Sequence, residues 1–322
     1  MRWNRASARR CKSWKISKKK GATMTKGMMM DRRHALMGMG AAAAGLTTAS
    51  LSAGAKAQSL PAALSVEEQL RALRDPMPAA RTLARLQSDL SGRTIYAYSA
   101  GQVFGLRAGR GLEIADYGKR LYGYEGCSVR RSVVRADGKI ETTSRSWLFY
   151  KDLERGTFMD RFTNPYTGKT VDVPVFRAGI SGEILGANGL ELKANFGLKS
   201  SVFGKPVQLD IVQVGDRAVV TRHGFTQWTP PDTKKPRTEF TMDSWACSVK
   251  DLLDADAPAI PATYAWTSQT EWQSWLAMPA DMDGSLTWRA EGTNVYAIED
   301  LPQAFVQHCM ARDPNLLTAP LA

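Results

Sequence analysis

The sequence predicts a mainly β protein in which antiparallel strands follow one another and close into a barrel-like single domain, with helices before and after them. From Arg93 onward, runs rich in β-branched and aromatic residues alternate with Gly, Asp and Pro turn signals. The connections at residues 136–138 (Ala-Asp-Gly) and 215–216 (Gly-Asp) are short enough for tight hairpins, which make consecutive strands antiparallel neighbours. Because an open sheet leaves two edges unpaired, a domain with this many strands is expected to close on itself.

Helices are predicted at both ends of this β region. Ser65 and Glu68 match a capping box, and Pro76 ends that first helix. A second helix is predicted over residues 79–90, and helical spacing of apolar residues over 301–309 predicts a third, with one buried face. The predicted strands are residues 94–104, 120–134, 140–150, 157–163, 170–176, 191–196, 207–214, 218–225, 237–249 and 285–290.

Basic residues are concentrated at the start of the chain. The whole sequence has a net charge of +12, but residues 1–30 carry ten Lys or Arg and no acid. Residues 31–57 add a net charge of +2, from Arg32, Arg33 and Lys56 against Asp31. Together the two stretches account for the whole +12, so residues 58–322 carry no net charge. Three consecutive methionines close the first stretch, and we interpret residues 1–30 as a basic extension ahead of the true start. A domain of balanced charge lacks the electrostatic basis for binding nucleic acid or a membrane surface.

Residues 31–57 resemble a twin-arginine signal peptide. Arg32 and Arg33 precede a Gly- and Ala-rich run, and an Ala-Lys-Ala triplet before residue 58 matches a cleavage site. A membrane anchor would need about 20 strongly apolar residues, and this run buries too little side chain for that. We therefore expect the precursor to use the twin-arginine export machinery. The expected product is a single β-rich domain at 58–322, periplasmic or secreted, with no stable membrane anchor after cleavage.

Several catalytic machineries are excluded by the residues present. Beyond residue 57 the histidines are His223 and His308, which do not have the spacing of a zinc site, so no metal is expected. The Gly-Lys-Thr at 168–170 lacks the earlier glycine of a phosphate-binding loop, and no Gly-x-Ser-x-Gly elbow is present. A cofactor cannot be named from these residues. The cysteines beyond residue 57 are Cys127, Cys247 and Cys309, and whether two of them pair stays open.

One predicted strand carries a carboxylate on its more apolar face. Alternation along residues 121–133 places Glu125 on one face with Leu121, Cys127 and Val129, and places Tyr122, Tyr124, Ser128 and Arg130 on the other. A buried carboxylate costs several kcal/mol unless it is paired. Glu125 is therefore either one member of a structural ion pair, with Arg145 as the candidate partner, or a general acid or base with a raised pKa.

Residues 160–168 combine the end of a strand with an Asn-Pro turn that Gly168 closes. A turn alone accounts for this pattern. The functional interpretation places Asp160 and Asn164 at the mouth of a barrel, where small barrels admit ligands. Asp160 then joins Glu125 as a candidate acid or base, and Asn164 is a candidate ligand contact.

Aromatic residues are dense in the last third of the chain, where Trp245, Trp266, Trp272, Trp275 and Trp288 lie. Such residues form either an ordinary core or an aromatic-lined pocket. On the pocket interpretation, the candidate ligand contacts are Tyr124, Arg145, Asn164, Trp245 and Arg289. His223 is a candidate general base, although a single histidine on a strand is more often a satisfied structural residue.

Several sequence blocks carry a family resemblance. They are Tyr122-Gly123-Tyr124-Glu125-Gly126 followed by Arg130, Trp147-Leu148-Phe149-Tyr150 ahead of Asp152, the 160–168 block, and late Trp272-Gln273-Ser274-Trp275 with Leu301-Pro302. They resemble the bacterial family called domain of unknown function 1838, and the Asn-Pro-x-Thr-Gly part at 164–168 is the most specific. The resemblance spans nearly all of residues 58–322. It implies a single domain, often behind a twin-arginine signal, and brings no established activity, substrate or catalytic residue.

Three functions stay open from the sequence. The first is binding of a small, partly apolar or aromatic molecule in the barrel interior. The second is a lyase, isomerase or hydrolase in which Glu125 or Asp160 is the acid or base and Arg145 stabilises an anion. The third is a structural or interaction protein without a pocket. An unpaired Glu125 near Asp160 would favour the enzyme, and an aromatic-lined cavity without that pair would favour binding.

Overall fold

The computed structural model describes residues 64–107, 118–192, 206–228 and 237–321. The predicted basic extension at 1–30 and the predicted signal at 31–57 lie outside the described residues, as does the polar segment 229–236. No helix in the described part of the chain is long and apolar enough to cross a lipid bilayer.

A ten-stranded antiparallel sheet dominates the described residues, which confirms the mainly β prediction. The strands of the structure are β1 (Ser91–Arg107), β2 (Lys119–Val134), β3 (Ile140–Lys151), β4 (Arg161–Thr163), β5 (Thr170–Asp172), β6 (Phe176–Gly186), β7 (Gly189–Leu192), β8 (Asp210–Val214), β9 (Arg217–Trp228), β10 (Arg237–Ser248), β11 (Thr263–Glu271) and β12 (Gly284–Val295). The large sheet has the order β7-β6-β3-β2-β1-β12-β11-β10-β9-β8, and β4 and β5 form a separate hairpin. Both predicted tight turns connect antiparallel neighbours, β2 with β3 and β8 with β9.

Closure into a barrel, which the sequence predicted, is wrong. The sheet ends at β7 on one side and β8 on the other, and these strands do not pair with each other in the described residues. We call the two halves of the sheet, β7 to β1 and β12 to β8 in the sheet order, its wings. Ile140 and Leu185 from the first wing join Val220 and Trp245 from the second in one buried cluster, together with Leu83 from a helix. The sheet therefore curves around a helix that fills the space between its wings, and we call the face that contacts this helix the concave face.

Helices lie on both faces of the sheet. Within the described residues they are α1 (Val66–Ala72), α2 (Pro76–Gln87), α3 (Val249–Leu253), α4 (Gln303–Arg312) and α5 (Asn315–Thr318). The capping box of Ser65 and Glu68 is present at the start of α1. Pro76 does not end this helix as predicted but begins α2, because a proline in the first helical turn needs no amide partner.

Helices α4 and α5 cover the opposite, convex face. Trp147 and Phe149 of β3 pack there against Phe305 of α4. Arg145, also on β3, donates hydrogen bonds to the carbonyl of Leu316 at 2.9 Å and to that of Ala319 at 2.9 Å. This arginine therefore ties the C-terminal segment to the sheet.

Two glycines at the centre of the sheet allow β1 and β12 to approach closely. A Cβ on Gly101 would lie 2.0 Å from the carbonyl oxygen of Arg289, and one on Gly292 would lie 2.3 Å from that of Tyr98. Any side chain at these positions would collide with the neighbouring backbone. Both glycines lie on the central pair of strands of the sheet, β1 and β12.

Candidate functional site

A cavity of about 350 Å³ lies on the concave face. Buried clusters bound it at both ends: α2 packs against the sheet at one end, and Tyr122, Tyr150 and Trp288 pack together at the other. The β4–β5 hairpin closes that second end, where Phe162 contacts the ring of Tyr122. This volume falls at the lower end of the range of small-molecule sites.

Small side chains form the floor of the cavity. Ala97 and Ser99 of β1, Gly126 and Ser128 of β2, and Ser146 of β3 line it. The pairing of Ala97 with Ser128, and of Ser128 with Ser146, places these residues side by side on one face of the sheet. Because none of them extends far from the backbone, the space above them stays unfilled, whereas large side chains fill both neighbouring ends.

Aromatic and aliphatic side chains form the walls. Trp245 of β10 and Tyr264 and Trp266 of β11 line one side, and Leu148 of β3 lines the opposite side. The ring centroids of Trp245 and Tyr264 are 5.4 Å apart. Trp245 is 2 % exposed, so its position is fixed by the surrounding core. Tyr264 and Trp266 are only partly buried, so they offer flat apolar surface to a bound molecule.

Arg130 brings a positive charge to the same cavity. Its Nε donates a hydrogen bond of 3.0 Å to Ser128 Oγ, which also accepts one of 2.8 Å from Ser146 Oγ. No carboxylate among the described residues lies within 4.0 Å of the Arg130 guanidinium. The arginine is therefore oriented by Ser128, which Ser146 holds in turn, but no acid among the described residues neutralises it.

Tyr124 lines the cavity next to the tryptophans. Its ring lies 5.3 Å from that of Trp288, and the residue is 2 % exposed. Burial, with a smaller effect of Tyr150, raises the pKa of Tyr124 well above its ordinary value, so the phenol stays neutral. Its hydroxyl has no hydrogen-bond partner within the described residues. Buried hydroxyls without a partner are rare in folded proteins and often indicate a site for water or a ligand.

Asp243, an acidic residue on the concave face, is paired with a cation. Asp243, 3 % exposed, accepts hydrogen bonds from Arg222 at 2.6 Å and from the hydroxyl of Tyr264 at 2.6 Å. Burial and then Asp243 raise the pKa of Tyr264, while Arg130 and Arg222 act in the opposite direction. Arg130 of β2 and Tyr264 of β11 both line the concave cavity.

The convex face carries a separate, more open cleft of about 500 Å³. Glu125 and Lys151 line it, and Lys151 Nζ lies 2.5 Å from Glu125 Oε1. Arg289 and Glu291 of β12 line its rim and lie 3.5 Å apart. Burial raises the pKa of Tyr98, and the neighbouring carboxylate of Glu125 raises it further.

The candidate acids are each paired with a cation. Glu125 is largely buried, as its strand face predicted, and its partner is Lys151. Arg145, the partner suggested by the sequence, instead bonds the C-terminal carbonyls. Asp160 is exposed at the edge of α4 and pairs with Arg312.

The remaining predicted site residues are dispersed. Asn164 donates to the carbonyl of Leu276 at 2.8 Å and accepts from the amide of Tyr166 at 2.9 Å, so it fixes the β4–β5 hairpin. His223 is half-exposed on β9, where its Nε2 lies 3.5 Å from Asp210 Oδ2. Of the predicted ligand contacts, the structure brings Tyr124 and Trp245 to the concave cavity and Arg289 to the convex cleft.

Sequence reasoning missed the importance of Arg130, Ser128 and Tyr264. The alternation along β2 already placed Ser128 and Arg130 on the face of Tyr124, which was the available signal. Tyr264 lies on a strand that was not predicted. No group of three or more His, Cys, Asp or Glu residues in the described ranges is arranged to hold a metal ion. Cys127, Cys247 and Cys309 are free and buried.

Comparison with known proteins identifies a family. No curated protein and no solved structure matches the chain. The family model described as "Protein of unknown function (DUF1838)" matches residues 96–322, a stretch that begins in β1 and includes the floor, the aromatic walls and Arg130 of the concave cavity. Because this match covers well over half of the sequence, the chain belongs to the DUF1838 family.

Proposed function

We propose that this protein binds a small, partly apolar molecule in the cavity on its concave face. The observation that carries the proposal is the floor of small residues, from Ala97 to Ser146, beneath a wall formed by Trp245, Tyr264 and Trp266. A sheet that needed only a packed core would place larger side chains on this floor, as it does at both ends of the same face.

The other two functions have less support. An enzyme that uses Glu125 or Asp160 would need at least one carboxylate free to exchange a proton, and both have a cation partner. A purely structural protein would not need a cavity with an unneutralised arginine and a buried hydroxyl without a partner.

We further propose that binding takes place outside the cytoplasm. The support is the pattern at residues 31–57, with Arg32 and Arg33 ahead of a Gly- and Ala-rich run. Replacing both arginines with lysine should leave the protein in the cytoplasmic fraction, whereas the unchanged chain should reach the periplasm or medium. Equal export of the two chains would contradict this location.

The binding proposal can be tested with N-phenyl-1-naphthylamine, an uncharged dye whose fluorescence rises in apolar surroundings. Purified full-length protein should bind it saturably at one site. Ala97→Leu should weaken binding roughly tenfold, because the added atoms occupy the cavity floor.

Ala100→Leu is the matched control. Ala100 lies on the same strand but lines the convex cleft, so this variant should bind the dye like the wild type. Absence of saturable dye binding to the wild type would rule out the concave cavity as the site. So would a result in which Ala100→Leu loses dye binding and Ala97→Leu keeps it.

A further inference from the structure

The charge of Arg130 is the feature of the cavity that a purely apolar ligand would leave unused. Arg130 lines the cavity, and its Nε donates to Ser128 Oγ, so the terminal nitrogens are the groups left for another partner. A guanidinium kept partly out of water without a counter-ion is costly. Within the part of the chain that the structure describes, the site therefore lacks one negative charge.

We propose that the ligand is an organic anion whose carboxylate is bound by Arg130 while its apolar body lies against Tyr264 and Trp266. This inference rests on the proposed binding function of the same cavity. It specifies the chemical class of the ligand: a small acid with one carboxylate and an aromatic or compact aliphatic body.

The surroundings of Arg130 support an anion rather than a cation or a neutral polar group. Asp243 is already held by Arg222 and Tyr264. Glu239, also on β10, does not line the cavity. Among the described residues that line the cavity, the charged side chain is therefore Arg130, and its charge is positive.

The geometry of the donors also suits a carboxylate. A guanidinium presents parallel N–H groups that match the two oxygens of a carboxylate, and such pairs are stronger than neutral hydrogen bonds. Ser128 fixes the Nε side of the arginine, which limits the freedom lost when a ligand binds. The hydroxyl of Tyr124 lies on the same cavity and lacks a partner, so it offers a further neutral donor once the ligand and side chain adjust.

The experiment compares two probes of nearly equal shape: 2-naphthoate and 2-naphthamide, each measured by displacement of N-phenyl-1-naphthylamine from full-length protein. In the wild type, naphthoate should bind about 10- to 100-fold more tightly than naphthamide. Arg130→Met should abolish that preference and leave naphthamide affinity unchanged. Arg130→Lys, which keeps the charge without the paired donors, should retain part of the preference.

Arg131→Met is the matched control, since Arg131 is the next residue of β2, exposed, and bonded to the carbonyl of Gly92. It should keep the full preference for naphthoate. If the dye binds the wild type and the two probes compete equally, the anion inference is overturned while the binding function stands. If the dye does not bind at all, the proposed function itself fails. The wild-type comparison decides the inference even if Arg130→Met does not fold.

Discussion

Lys151 Nζ lies 2.5 Å from Glu125 Oε1 at the base of the convex cleft, where neighbouring strands β3 and β2 carry the two side chains. The side chains are 25 % and 12 % exposed, respectively, so the pair is largely removed from water. The phenol of Tyr98 also contacts Glu125. This arrangement pairs a carboxylate, which its strand alternation places on a largely buried face, with a cation.

A double-mutant cycle tests the structural role of this pair. Lys151→Met leaves Glu125 buried without a cation and should lower the free energy of unfolding by about 2 kcal/mol, below the cost for fully buried pairs. Combining it with Glu125→Gln should recover at least half of that loss. Urea unfolding measures both values. Arg289→Met removes an exposed charge from the same cleft and should change stability by less than about 0.5 kcal/mol. A double variant as unstable as Lys151→Met would contradict this account.

Ser128 should act as a positioning residue for Arg130. Ser128→Ala removes the acceptor that holds Arg130 Nε, so the preference for naphthoate over naphthamide should fall about three- to tenfold. Dye affinity should not change, because the apolar walls are untouched. The control is Ser132→Ala, on the same face of β2, whose hydroxyl bonds Thr142 instead. Equal losses in the two serine variants would indicate a general structural effect.

Arg145 should stabilise the C-terminal segment locally. Arg145→Met removes the donor that bonds the carbonyls of Leu316 and Ala319, so amide hydrogen exchange over residues 313–321 should speed up roughly tenfold or more. Exchange in β10 should stay slow. Arg177→Met, which breaks a more exposed pair with Asp313, should have a smaller effect. Unchanged exchange in Arg145→Met would show that packing of α5 alone holds the segment.

Local patterns in the sequence predicted most of the strands but not the shape of the sheet. Turn residues and alternation are properties of a few neighbouring residues, and they correctly placed the hairpins after β2 and β8 and the inward position of Glu125. Whether β7 meets β8 depends on contacts between distant parts of the chain. Helix α2 packs between the wings and keeps them apart. This packing cannot be predicted from the pattern of a few neighbouring residues.

The candidate site was predictable only in part for the same reason. Tyr124 and Trp245 were identified because they are large and aromatic. Strand β11 was missed because apolar alternation stops after Trp266, where the chain continues with Thr, Ser and Gln. Arg130 was assigned to the correct face of β2. That no described acid lies next to it depends on how distant strands pair, which a local pattern does not contain.

Glu239 should make stability depend on pH. Burial raises the pKa of Glu239 above 4.5, and the negative charge of Asp243 raises it a little further. The hydrogen bond from Ser268 lowers this pKa but does not outweigh burial. The folded state therefore holds the proton of Glu239 more tightly than the unfolded state. The contribution of this residue to the free energy of unfolding is fully present below pH 4.5 and is lost as the pH rises through the folded pKa. Glu239→Gln keeps an acceptor for Ser268 and should raise the melting temperature by about 2–4 °C at pH 7.5, with no gain at pH 4.5. Glu291→Gln, at an exposed position, is the control and should show no such gain. An equal gain for Glu239→Gln at both pH values would show that ionisation of Glu239 is not the cause.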